Sequence, residues 1–306
     1  MKLLKANGKL LISGEYAVLN GAYSLAIPTK YGQNLTYQSD SKNILSWLSF
    51  THENKEWLSI KIDTKSGELI SSSNPSKSKW LEMVIKKAFL LSSIKNLPSG
   101  KICAYLDFPN NWGLGSSSTL LILIAKLLDI NPFELHFSCT NGSGYDIACG
   151  LETQPIIYNL NKGNIPNYHA QEWNPDFLKS VFFVHLNKKQ KSNLEIERFN
   201  LINNSNLPNI TEDISKITSS IINCNNLKEF ELLLNEHEEI IGKVIEKTPI
   251  KRKLFKDYPG EIKSLGAWGG DFILATGPYQ DYFKNKQFNT IIPYVDMIKR
   301  DDKTLI

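Results

Sequence analysis

The chain has 306 residues, of which 42% are hydrophobic and 22% charged, so it can bury a large core and, at about 100–200 residues per domain, form two domains. The formal net charge is only +4, from 35 basic and 31 acidic residues, and such a weak, scattered charge argues against a nucleic-acid-binding protein. The apolar run that begins at Leu120 is stopped by Lys126, well short of the ~20 residues that a membrane span requires.

The four cysteines predict a reducing environment. Cys103, Cys139, Cys149 and Cys224 show no C-x-x-C spacing, which argues against a metal–thiolate centre. No signal-like segment precedes the first motif near residue 9. Reduced thiols and a cytoplasmic location are therefore expected.

Strands and helices are predicted to alternate in the first half of the chain. Leu58, Ile60 and Ile62 fall on one face of a strand over residues 57–64. The serine-rich residues 71–79 predict a surface loop, with a lid as the alternative. The other predicted elements are strands over 3–13, 24–38, 101–108 and 152–160 and helices over 80–92 and 120–128.

The second half begins with a new β-element. Residues 181–186 predict a strand, residues 211–223 and 227–246 predict helices, and residues 272–275 predict a further strand. The domain boundary is therefore expected near residue 175, with domains at 1–175 and 176–306. No internal repeat is visible.

Residues 109–119 form a loop rich in glycine and hydroxyl side chains that runs directly into a predicted helix. Gly113 and Gly115 can adopt positive φ and let the backbone approach a ligand closely. The N–H groups at the start of the following helix present partial positive charge to an anion. The segment therefore predicts a phosphate-binding loop, and a well-capped helix start is the alternative.

Three further glycine-containing blocks accompany this loop, at residues 8–19 (GKLLISGEYAVL), 142–148 (GSGYDIA) and 266–271 (GAWGGD). Together the four blocks resemble the GHMP kinase superfamily, whose three signature motifs span nearly the whole chain. A Walker A motif is absent, because no Gly-Lys pair is followed by Ser or Thr, and no His-Arg-Asp loop of protein kinases occurs.

The resemblance implies an α+β fold of two domains. The N-terminal domain would have a mixed sheet with helices, similar to domain 2 of ribosomal protein S5, and the C-terminal domain would be ferredoxin-like. The implied activity is ATP- and Mg²⁺-dependent phosphoryl transfer to a small-molecule acceptor, which needs mainly positioning and charge stabilisation. A homodimer is compatible with the resemblance, whereas neither nucleic acid nor a membrane is expected as a partner.

Carried over from the family, the two catalytic residues are Lys9 and Asp146. Asp146 would orient the acceptor oxygen and, if the acceptor is an alcohol, accept its proton. Lys9 would keep that carboxylate ionised and offset charge on the transferring group. The alternatives are a surface lysine at a strand edge for Lys9 and a helix N-cap for Asp146.

The resemblance assigns the rest of the site as well. The expected ATP-binding residues are Asn111, Gly113, Leu114, Gly115, Ser116, Ser117 and Ser118. The expected acceptor-binding residues are Glu15, Tyr16, Ser143, Gly144, Gly269 and Gly270. The Ser117 hydroxyl matches the family's Mg²⁺ ligand, with a helix cap as the alternative. The family's second ligand is a Glu, and Glu134, the nearest acid, lies one residue out of register.

The last motif carries Trp268 where the family commonly has Gly, so the indole either stacks on substrate or packs in the core. Residues 14–19, Gly-Glu-Tyr-Ala-Val-Leu, are closer to phosphomevalonate kinases than to mevalonate kinases or galactokinases. An anionic acceptor would need cations, for which the candidates are Lys30, Lys188, Lys189 and Lys191.

The expected order of acceptors is phosphomevalonate, then mevalonate, then another small alcohol such as homoserine or a sugar. The departures at Glu134 and Trp268 keep a second class of function open. In that alternative the chain binds a nucleotide or a metabolite without turnover.

Overall fold

The computed structural model describes residues 1–188, 195, 199, 207–268 and 270–299. The chain divides into two compact units, each assembled from separate segments. The first unit contains Met1–Gly8, Tyr31–Asn110 and Leu114–Leu151, and the second contains Lys9–Lys30, Asn111–Gly113 and Glu152–Ile306. The division into contiguous domains at residue 175 stays a prediction.

The sheet of the first unit has the strand order β5-β4-β3-β6-β2. Only the β3–β6 pair is parallel, and the other pairs are antiparallel. β1 pairs with β2, and both of these long strands continue into the second unit. The strands are β1 (Lys2–Ser13), β2 (Ser24–Ser39), β3 (Ile44–Phe50), β4 (Glu56–Asp63), β5 (Leu69–Ser72) and β6 (Gly100–Leu106).

The helices of this unit are α1 (Pro75–Leu91), α2 (Ser116–Leu128), α3 (Pro132–Cys139) and α4 (Tyr145–Leu151). The predicted loop over residues 71–79 was mostly wrong, because Ser71 and Ser72 end β5 and α1 begins at Pro75. The Asn74 side chain accepts a hydrogen bond from the Lys77 N–H, and proline at the first position suits a helix start.

The core of the first unit lies between its sheet and its helices. Trp47, Ile102 and Ile122 are buried there, and α2 packs against α1, α3 and α4. A Cβ added to Gly150 on α4 would lie 2.6 Å from Ile122 Cδ1. The glycine therefore lets α4 approach α2 closely.

The second unit contains a four-stranded antiparallel sheet of order β10-β11-β9-β12. These strands are β9 (Val181–His185), β10 (Ile262–Ser264), β11 (Phe272–Thr276) and β12 (Ile291–Pro293). All residues of β9 and β11 are buried. In the same unit the first residues of β2 pair with β7 (Ile156–Asn161), which pairs with β8 (Ile165–Ala170).

Two short 3₁₀ turns, Ala17–Asn20 and Asp176–Ser180, accompany the α-helices of the second unit. The helices are α5 (Leu207–Asn223), α6 (Leu227–Val244), α7 (Ile250–Leu254), α8 (Gln280–Asn285) and α9 (Tyr294–Met297). The expected α+β class is confirmed. No helix in the described part of the chain is both long and apolar enough to cross a membrane.

Candidate active site

The start of the predicted phosphate loop is held by side chains of the second unit. The Lys9 ammonium donates a hydrogen bond to the Gly113 carbonyl at 2.9 Å, and the His185 imidazole Nε2 lies 3.0 Å from the Asn111 carbonyl. The Trp112 ring meets Phe272 edge-on at 5.4 Å between centroids. Lys9 is therefore more than a surface lysine at a strand edge.

Gly113 is required by its surroundings as well as by its backbone. Its φ is +67°, and a Cβ there would lie 2.4 Å from both Cγ and Oδ2 of Asp271. Asp271, itself at φ +52°, is held through its backbone, because its N–H donates to the Lys188 carbonyl and its carbonyl accepts from the Leu186 N–H. Asp271, the last residue of the block at residues 266–271, thus packs directly on Gly113.

The rest of the loop belongs to the first unit and begins α2. The N-cap is Gly115 at φ +90°, and no side chain caps the helix. Ser118 and Thr119 direct their hydroxyls to the carbonyls of Gly115 and Ser116 instead. At an N-terminus without a side-chain cap, no side chain competes with an anion for the first N–H groups of the helix, so the residues present fit a bound phosphate.

Ser117 is exposed in the first turn of α2, and it is not the helix cap that its alternative interpretation required. Glu134 is exposed in the first turn of α3. Within the described residues no group of three or more His, Cys, Asp or Glu side chains is placed to hold a metal ion. The assignment of Ser117 and Glu134 to Mg²⁺ stays a prediction.

Asp146 lies in the first turn of α4, half-buried. Its carboxylate accepts a hydrogen bond from the Ile147 N–H at 3.1 Å. The preceding Gly144 has φ +82°, and Ser143 and Gly144 are buried. Asp146 is the second residue of α4 and so is not the N-cap of its alternative interpretation. Its catalytic role stays a prediction.

Glu15 lies in a fully buried polar cluster of the second unit, which we call the Glu15 cluster: Glu15, His237, Glu238, Lys263 and Ser264. The Lys263 ammonium donates to Glu15 Oε1 at 2.5 Å, and neither side chain is exposed. The Gly14 N–H donates to His237 Nε2 at 2.9 Å, and the Ser264 hydroxyl donates to Glu238 Oε2 at 3.1 Å. In this structure the Glu15 carboxylate is thus engaged by the protein itself.

Burial shifts the titration of this cluster. It raises the pKa of Glu238 to about 8 against the opposing charge of Lys263, while Glu15 adds to the increase. Burial also raises the pKa of Glu15, which the Lys263 ammonium opposes. Burial and Lys263 together hold the pKa of His237 well below its ordinary value, in keeping with an imidazole nitrogen that accepts from Gly14.

The remaining predicted acceptor residues are mostly buried. The Tyr16 hydroxyl donates to the Ala267 carbonyl at 3.0 Å. Trp268 is 2% exposed, and a Cβ on Gly242 of α6 would lie 3.4 Å from its ring, which supports core packing of this indole. Gly270 is buried, and Gly269, Lys189 and Lys191 lie outside the described residues.

Sequence reasoning missed the roles of His185, Lys263, His237 and Glu238, and it singled out Asp271 only as the last residue of the block at 266–271. Lys263 is a charged residue inside the short strand Ile262–Ser264, all of which is buried. A lysine between Ile262 and Ser264, with Leu265 following, was the one available signal. The partners of His237 and Glu238, and the Asn111 partner of His185, are distant in the sequence, so no local pattern marks them.

No protein-family model matches the sequence, and no curated protein matches it by sequence. Solved structures do share its fold. The Methanococcus jannaschii mevalonate kinase is 18% identical with a TM-score of 0.68, covering 95% of this chain and 96% of that one.

Two further structures extend this likeness. Streptococcus pneumoniae phosphomevalonate kinase in complex with phosphomevalonate and AMPPNP is 18% identical, with 97% of both chains covered and a TM-score of 0.68. Lactococcus lactis galactokinase complexed with galactose is 14% identical, with 94% and 88% covered and a TM-score of 0.68. The chain therefore has the fold of the GHMP kinases, the class that its glycine-containing blocks resemble.

Proposed function

We propose that the chain is an ATP-dependent small-molecule kinase of the GHMP superfamily. The observation that carries the proposal is the loop at residues 111–118, in which two positive-φ glycines precede a helix whose N-terminus has no side-chain cap. The GHMP kinase fold of nearly the whole chain supports it. Phosphomevalonate is the first candidate acceptor and mevalonate the second, with acceptors of other neighbours, such as galactose, behind them.

In the proposed reaction the backbone N–H groups at the start of α2 bind the phosphates of ATP. Ser117 and Glu134 would hold Mg²⁺, which neutralises phosphate charge when bound. Asp146 orients the acceptor oxygen and, for an alcohol, accepts its proton. Lys9 offsets the charge of the transferring group, and holds the Gly113 carbonyl at the same time.

The test is ADP release from Mg-ATP with mevalonate, 5-phosphomevalonate, homoserine, galactose or no acceptor. Asp146→Asn should lower kcat by about 100-fold or more while Mg-ATP binding is kept, since general-base and positioning effects are of that size. The matched control is Asp129→Asn at the exposed C-terminal end of α2, where the same change should leave the rate unaltered. Equal rates for Asp146→Asn and the wild type would contradict the assigned role.

The alternative is a protein that binds nucleotide or metabolite without turnover. Its motivation is the exposed, out-of-register Glu134. Nucleotide binding without ADP release across the acceptor panel would favour it. A homodimer and a cytoplasmic location remain part of the proposal.

A further inference from the structure

We propose that His185 is a positioning residue that orients the first peptides of the nucleotide loop and thereby sets the affinity for ATP. The inference rests on the proposed function, because it assigns a role within the same phosphate-binding loop. It is carried by the contacts of one buried imidazole with residues 111, 112, 187 and 272.

The hydrogen bonds fix which nitrogen of His185 carries the proton. The Asn187 N–H, which can only donate, points at Nδ1 at 3.3 Å, so Nδ1 accepts. The Asn111 carbonyl, which can only accept, lies 3.0 Å from Nε2, so Nε2 donates. Both ring nitrogens are satisfied by one neutral tautomer.

The His185 ring is fixed by its neighbours, whereas the loop that contains Asn111 and Trp112 lies outside the helices and strands. His185 ends β9, where it pairs with Phe272 of β11, and its N–H donates to the Thr290 carbonyl. The Phe272 ring lies 5.1 Å and the Trp112 ring 6.4 Å from the imidazole, between centroids. A side chain on a paired strand, packed on two rings, is a fixed point for a loop.

Holding a carbonyl also orients the next N–H, because the C=O and N–H of a trans peptide point in opposite directions. His185 on the Asn111 carbonyl directs the Trp112 N–H away from the imidazole. Lys9 on the Gly113 carbonyl does the same for the N–H of Leu114. Two successive anchors thus set the direction of backbone donors in a loop whose proposed ligand is an anion.

The experiment compares His185→Asn with His185→Gln. Glutamine places an amide N–H where Nε2 was and keeps the bond to Asn111, whereas asparagine reaches only the Nδ1 position and loses that bond. Binding of Mg-AMPPNP to the full chain is measured by calorimetry, and unfolding of each variant is followed in parallel. His169→Asn, on the exposed face of β8, is the control.

We expect His185→Asn to weaken binding of Mg-AMPPNP by about three- to tenfold, the value of one net hydrogen bond, and His185→Gln to remain within about twofold of the wild type. The KM for ATP should rise with little change in kcat or in the KM for the acceptor. His185→Phe, which keeps a ring beside Trp112 and Phe272 but has no donor, should repeat the loss if His185→Asn does not fold.

If the asparagine, glutamine and phenylalanine variants bound Mg-AMPPNP with the same affinity as one another, the assignment of His185 would be overturned, even if all three variants were less stable than the wild type. A wild-type protein that does not bind Mg-AMPPNP would overturn the proposed function itself and this inference with it. The two failures are therefore distinguishable by the wild-type measurement alone.

Discussion

The buried carboxyl of Glu238 should make the stability of this protein depend on pH near neutrality. Glu238 is 2% exposed, and its Oε1 has no hydrogen-bond partner within the described residues. Burial raises its pKa to about 8, with Lys263 opposing and Glu15 reinforcing the shift. The variant Glu238→Gln keeps an acceptor for the Ser264 hydroxyl and removes the titrating carboxyl.

The direction in which stability changes with pH follows from the number of protons bound by the folded and unfolded states. Between about pH 4.5 and pH 8 the unfolded carboxyl is ionised and the folded one is protonated, so the native state binds more protons and loses stability as the pH rises. The loss is about 1.4 kcal/mol per pH unit and levels off above the folded pKa. Between pH 6 and pH 8 it amounts to about 2 kcal/mol.

Urea unfolding of the wild type and of Glu238→Gln at pH 6 and pH 8 measures this difference. The wild type should lose about 2 kcal/mol more than the variant over that interval, because the Glu15 and His237 side chains are present in both proteins. Glu236→Gln, on the exposed side of the same helix, shows whether any Glu→Gln change has this effect. Parallel pH profiles of stability for the wild type and Glu238→Gln would show that Glu238 is not the source of the pH dependence.

Two further predictions concern packing in the second unit. Lys263→Met should lower the free energy of unfolding in urea by about 3–5 kcal/mol, because it leaves the Glu15 carboxyl buried without its partner. Adding Glu15→Gln should recover part of that loss. No recovery in the double variant would mean that the ion pair is not the cause. Gly113→Ala should cost more than Gly163→Ala, which is expected to cost about 1–2 kcal/mol: both glycines have positive φ, but only Gly113 has Asp271 against it, while Gly163 has open space. Equal midpoints of thermal unfolding for the two alanine variants would show that the close packing of Asp271 against residue 113 does not add to the cost.

The strands were readable from the sequence where their inward positions are all apolar. Leu58, Ile60 and Ile62 of β4 are all buried, as the alternation predicts. β3 was not predicted, because one of its inward positions is Ser49, whose hydroxyl accepts a hydrogen bond from the buried Trp47 indole. That polar residue interrupts the apolar pattern, and its partner becomes clear only once the strand is folded.

The site was readable to the extent that its backbone is unusual. Gly113, Gly115 and Gly144 all have positive φ, and glycine at such positions is a signal that the sequence itself carries. The Glu15 cluster gave no such signal, because Lys263 and Glu15 are 248 residues apart. A buried charge is stable only beside a partner, and that partner is chosen by the tertiary fold.

Lys9 and His185 both contact backbone carbonyls of the proposed nucleotide loop, but their proposed roles differ. An ammonium has three donors, and Lys9 uses one of them on the Gly113 carbonyl. His185, by contrast, uses both ring nitrogens on the protein and can act on ATP only through the loop. Removal of His185 should therefore lower nucleotide affinity with little change in kcat. Removal of Lys9, for which a catalytic role is also proposed, should lower both nucleotide affinity and the rate of phosphoryl transfer.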